Sequence, residues 1–102
     1  MVIEDIVEVR IDAEGKLVVR PQVSSFPFIY RAAMEVGWDP DNRTLFSPGP
    51  RELSYLQWFR QIVAAALDEY GVRLVITPQT AWADAPDALR AEIEAERNQP
   101  GF

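Results

Sequence analysis

The side chains able to do chemistry in this sequence are carboxylates, arginines, aromatics and one lysine. The 102 residues contain no Cys and no His. Without Cys there are no disulfides, thiolate nucleophiles or Cys-based zinc and iron–sulfur sites. Without His there is no Ser-His-Asp or Cys-His catalysis, no imidazole ligand and no usual general base near neutral pH. An enzyme built here would rest on carboxylates, Arg, Tyr or Lys16, the only lysine. Carboxylates are plentiful, but no spacing marks out an acid–base pair, so no catalytic residue is assigned. Asp39-x-Asp41-Asn42 begins like a calcium loop and then fails. Arg43 occupies the fifth ligand position, no Gly follows at the sixth and no Glu closes the loop. It reads as turn chemistry, and neither a metal nor a cofactor is expected.

The aromatics offer more. Tyr30 and Arg31, then Glu35, then Trp38 and Asp39 mix rings with charge. They would suit a pocket wall that holds a small organic or cationic ligand. The commoner alternative is a strand with its inner residues in the core. Trp58 and Trp82 are candidates for exposed aromatic surface. Either they form a homodimer seam, where aromatics are enriched, or they fill satellite core beneath a connection.

Charge and length narrow the function classes. The net charge is −6, so the basic footprint needed for nucleic acid is missing. An acidic surface would suit a positively charged ligand or protein partner. No apolar run approaches the length of a membrane span. The start, MVIEDIVEV, lacks the basic region of a signal peptide, which makes the cytoplasm the default compartment. A single domain over residues 1–97 is expected, with 98–102 a frayed tail.

The elements that must position these side chains centre on Ser54–Tyr70. With Phe59 at zero, Tyr55, Leu56, Ile62, Val63, Ala66, Leu67 and Tyr70 fall within about 80° of it on a helix. Gln57, Gln61, Ala64 and Asp68 lie opposite, and Trp58 sits on the flank. Ser54 and Gln57 form a capping box, and Gly71 can end the helix in the left-handed region. Pro48 and Pro50, in a Pro-rich bend at 47–50, discourage an earlier start. Upstream, residues 2–11 alternate as a strand. Asp12–Gly15 turn, and Leu17 and Val19 continue as an antiparallel partner stopped by Pro21. Residues 28–33, FIYRAA, fit a helical turn after Pro27 or a strand. Met34, Val36 and Trp38 alternate as a third strand. Asp39–Asn42 turn, and Thr44–Ser47 return as a fourth. Val72, Leu74 and Ile76 form a fifth, apolar on both faces and therefore expected to be central. Trp82 falls in an irregular connection. Asp84 is expected to cap a second helix ending near Arg97. The resulting fold class is α+β: a mostly antiparallel sheet of about five strands, one long helix across a face and a second C-terminal helix.

Several of these residues also occur as a pattern. Ile29-Tyr30-Arg31-Ala32-Ala33, Val36-x-Trp38-Asp39, Leu45-x-Ser47-Pro48, Trp58-Phe59-x-x-Ile62 and Leu74 through Thr80-x-Trp82 resemble small proteins of unknown function encoded on integron mobile gene cassettes. The resemblance runs from about residue 26 to residue 94. It implies a soluble bacterial α+β domain, often self-associating, and it carries no catalytic motif. The leading expectation is a non-catalytic ligand-binding or protein-interaction module that works as a homodimer. An acidic immunity or antitoxin protein that neutralises a basic partner is the alternative. A small carboxylate-dependent enzyme is the third reading.

Overall fold

The Asp12 carboxylate organises the first hairpin, accepting from the backbone N–H groups of Glu14 and Lys16, each at 2.9 Å. It joins β1 (Val2–Ile11) to β2 (Leu17–Pro21), paired antiparallel from Ile11↔Leu17 to Ile6↔Pro21 with a bulge between Ile6 and Glu8. The computed structural model describes residues 2–48 and 53–97. The tip of the Pro-rich bend at 49–50 and the tail at 98–102 lie outside the described residues.

After a 3-10 turn at Ile29–Arg31 come β3 (Gly37–Asp39), β4 (Thr44–Ser47), α1 (Tyr55–Tyr70), β5 (Val72–Val75), β6 (Ala81–Ala83) and α2 (Asp87–Arg97). The six strands form one mixed sheet in the order β3-β4-β2-β1-β5, with β6 also on β1. The pairings among the first four strands are antiparallel, whereas β5 and β6 run parallel to β1. The α+β class and the mostly antiparallel sheet hold.

Helix α1 has the expected ends. The Ser54 hydroxyl accepts from Gln57 N–H, the Gln57 side chain accepts from Ser54 N–H, and Gly71 closes the helix at φ 65°. Its buried face is Trp58, Phe59, Ile62, Ala65 and Ala66, while Leu67 is exposed. That arc is turned by roughly 60° from the stripe centred on Phe59. The cause is a second partner besides the sheet. The connection from β2 to β3 packs on the Glu69–Tyr70 end of the helix, where Arg31 pairs with Glu69 at 3.8 Å and Phe26 and Phe28 meet Tyr70.

Four local expectations are corrected. Met34 and Glu35 lie in a turn, closed by Val36 N–H donating to Ala33 C=O at 3.0 Å, so β3 starts only at Gly37. There the Phe46 ring packs so closely that a Cβ on Gly37 would lie 2.4 Å from Cζ. β5 is an edge strand, not central: Val72 and Leu74 face the core, while Arg73 and Val75 are half-buried on the open face. Trp82 belongs to a strand, β6, rather than to an irregular connection. Helix α2 begins at Asp87, and Asp84 turns the chain at φ 55° ahead of it.

Candidate functional site

Glu4 is the origin of the most distinctive surface on the molecule. It sits on the core side of β1, only 5% exposed. One carboxylate oxygen accepts from the N–H groups of Val23 and Ser24 at 2.9 Å, and the other accepts from the Ser24 hydroxyl. Burial alone would raise its pKa. Hydrogen bonds from the Ser24 side chain and from the backbone at Ser24, Val23 and Gln22 outweigh burial and hold it below the ordinary value. The carboxylate thus ties the start of the 22–36 connection to the sheet.

The rest of the connection is braced as firmly. Arg43, at φ 56°, donates to Val23 C=O at 2.6 Å. Phe26 is fully buried, edge-on to Trp38 at 5.7 Å and to Tyr70 at 5.0 Å between ring centroids. Phe28 N–H donates to the Tyr70 hydroxyl at 2.8 Å. Ile29 anchors the 3-10 turn from inside.

Outside this frame the chain turns apolar groups to solvent. Met34 is 91% exposed, Val23 69%, Tyr30 50% and Phe28 48%. Phe28 and Tyr30 stand edge to face at 6.4 Å, and the Arg31 guanidinium lies 4.8 Å from the Phe28 ring centroid. Aromatics, Met and Arg are the side chains enriched where proteins meet.

The candidate residues therefore separate. Tyr30, Arg31 and Glu35 share this exposed connection. Trp38 points inward against Phe26. Trp58 is 8% exposed and belongs to the core, with its indole N–H unpartnered. Trp82 pairs in register with Val9 and is half-buried, with the Arg90 guanidinium 5.5 Å from its ring. No ring contact joins Trp58 to Trp82 among the described residues. Sequence reasoning missed Glu4, Phe28 and Met34. Little in the sequence marks them: Glu4 falls in the polar phase of the β1 alternation and is turned inward only by the bulge between Ile6 and Glu8, and Phe28 is a Pro-flanked aromatic.

Two grooves complete the surface. One, of about 540 Å³, lies on the open face of the sheet, where Arg10, Lys16, Val18, Asp39, Thr44 and Phe46 are among its walls. The Lys16 ammonium sits 5.5 Å from the Phe46 ring centroid. Hydrogen bonds from Asn42, and less strongly from Asp41 N–H, keep the Asp39 carboxyl below its ordinary value. The other, of about 340 Å³, runs along β5 from Arg73 to Pro78 beside Val63. No group of His, Cys, Asp and Glu side chains among the described residues could hold a metal ion. No helix among them is long and apolar enough to cross a membrane.

A family model described as "Integron Cassette Protein Hfx_Cass5" matches residues 4–80. The chain belongs to the Hfx_Cass5 integron cassette family. The matched span takes in Glu4, the whole exposed connection, α1 and β5. A solved Hfx_Cass5 structure, described as coming from the mobile metagenome of the North West Arm sewage outfall, is 48% identical. The match covers 94% of this chain and 96% of that one, with a TM-score of 0.45. No curated protein matches the chain.

Proposed function

We propose that this cassette-family protein is a non-catalytic protein-interaction module, acting as a homo-oligomer, that docks a partner protein on the 23–35 connection. One observation carries the reading. Phe28, Tyr30 and Met34 are exposed together on a segment held from beneath by Glu4, Arg43 and Tyr70. A surface already ordered before binding loses little conformational entropy on docking. The partner it fits has an apolar cleft for these side chains and a carboxylate placed to meet Arg31. The test replaces Met34 with photo-methionine and crosslinks in bacterial lysate. Tyr30→Ala with Met34→Ser, which touches no core side chain, serves as a competitor. A protein crosslinked at position 34 should resist this competitor and yield to excess wild type. Equal competition by both proteins overturns the reading.

The open-face groove supports a second reading, a small-molecule site. Arg10, Lys16 and Asp39 place both charge signs beside the Phe46 ring, which would suit a zwitterionic organic ligand. Ligand-dependent NMR shifts at Phe46 and Thr44 would support this site over the connection.

A further inference from the structure

The edge of β5 is built to pair with itself. Val2 N–H donates to Gly71 C=O at 3.0 Å, so that carbonyl points toward β1. Across a trans peptide the next N–H points the other way. The N–H and C=O groups of Val72 and Leu74 therefore face away from β1, and the same alternation carries on to Ile76. No strand pairs with this edge among the described residues.

The outward set at 72, 74 and 76 is symmetric about Leu74. We infer that two copies of the chain join through antiparallel β5–β5 pairing, with Leu74 on the two-fold axis. Leu74 then faces Leu74 of the second copy, and Val72 faces Ile76. Every outward donor and acceptor in the set finds a partner, which no other register achieves. The groove beside Val63 leaves open space along the edge for the incoming strand.

Charge supports the same register. Asp5 lies next to Val75 on the open face, and the pairing puts Arg73 of the other copy just beyond Val75. The two open-face rows that cross the joint at Val75 and Arg73 then hold one carboxylate and one guanidinium each, and no like charges stand directly opposite. The exposed side chains of Val2 and Ile3 flank the joint. β5 carries neither Pro nor Lys, and its one charge, Arg73, is answered in this register by Asp5 in the other copy's row.

This inference rests on the homo-oligomer part of the proposed function and names its interface. The test is sedimentation equilibrium at low and high salt for wild type, Val75→Lys and Val75→Glu, with melting curves to confirm folding. Both substitutions lie on the half-exposed face, directly opposite Arg73 of the other copy. The lysine should weaken the dimer at least tenfold. The glutamate should tighten it, and salt should erase that gain. Shifts in the same direction, no shift in either variant, or a wild type monomeric at every concentration would overturn the inference. Tyr30→Ala with Met34→Ser should leave the dimer intact, so failure of the docking surface and failure of this interface are told apart.

Discussion

The Ser24 N–H and hydroxyl converge on the Glu4 carboxylate from twenty residues away in the chain, one on each carboxylate oxygen. Glu4→Ala leaves the part-buried N–H groups of Val23 and Ser24 without their acceptor and is expected to cost about 1–2 kcal/mol. The folded state holds the Glu4 pKa below its reference value of 4.5. The unfolded chain therefore takes up this proton first as pH falls. The stabilisation is complete above about pH 4.5 and declines as pH drops toward the folded value. Urea midpoints from neutral pH to pH 3 should fall more steeply for wild type than for Glu4→Gln. Parallel curves would remove the carboxylate from the account.

The rotated face of α1 makes a second prediction. Ile62→Ala should cost about 2–5 kcal/mol, the range for truncation in a packed core. Leu67→Ala, although the same number of atoms is removed, should cost under about 1 kcal/mol because Leu67 is 39% exposed. Equal shifts in urea midpoint would restore the stripe centred on Phe59.

Trp58 predicts a split between two substitutions. Its indole N–H is buried and has no hydrogen-bond partner. Trp58→Phe removes that unsatisfied donor and keeps most of the ring, so it should cost under about 1.5 kcal/mol. Trp58→Ala should cost about 3–5 kcal/mol. Thermal or chemical denaturation of the pair measures the difference.

Gly37 and Phe46 should behave as a coupled pair. Gly37→Ala drives a methyl group into the Phe46 ring and should cost about 1–3 kcal/mol through overpacking. In a Phe46→Leu background the same change should cost less, because the clashing ring atoms are gone. A double-mutant cycle with a coupling energy near zero would show that backbone strain, not the ring, sets the cost.

What could be read from the residues alone was what neighbours in sequence decide. Asp12 with Gly15, Ser54 with Gln57, and Gly71 act within a few residues of themselves, so the hairpin turn and both ends of α1 were legible. The position of β5 was not. Val72, Leu74 and Val75 read as a strand buried on both faces, and nothing local reveals that only one face is covered. Helix phase was illegible for the same reason: Trp58 and Leu67 are both large and apolar, and which of them is buried is set by packing partners far away in sequence. Met34 fits a strand by alternation, and only the 3-10 turn before it and Gly37 after it show why the strand starts later. Of the cluster Tyr30, Arg31, Glu35, Trp38 and Asp39, the first three lie on the exposed surface of the connection, while Trp38 turns inward against Phe26. Glu4, which braces that surface, looked like any outward glutamate.

The parallel pairing of β1 also governs how the chain folds. Residues 2–5 wait for 72–75, and 8–10 wait for 81–83. The β1–β2 hairpin can close early, since its partners are close in sequence. Half of β1's hydrogen-bonding capacity then stays open until α1 has crossed over and delivered the later strands. Closing so long a loop costs chain entropy before any contact repays it, which slows the committed step. Fragments that stop short of residue 72 would carry an open β1 edge opposite β2, and would pair with other chains instead of with themselves.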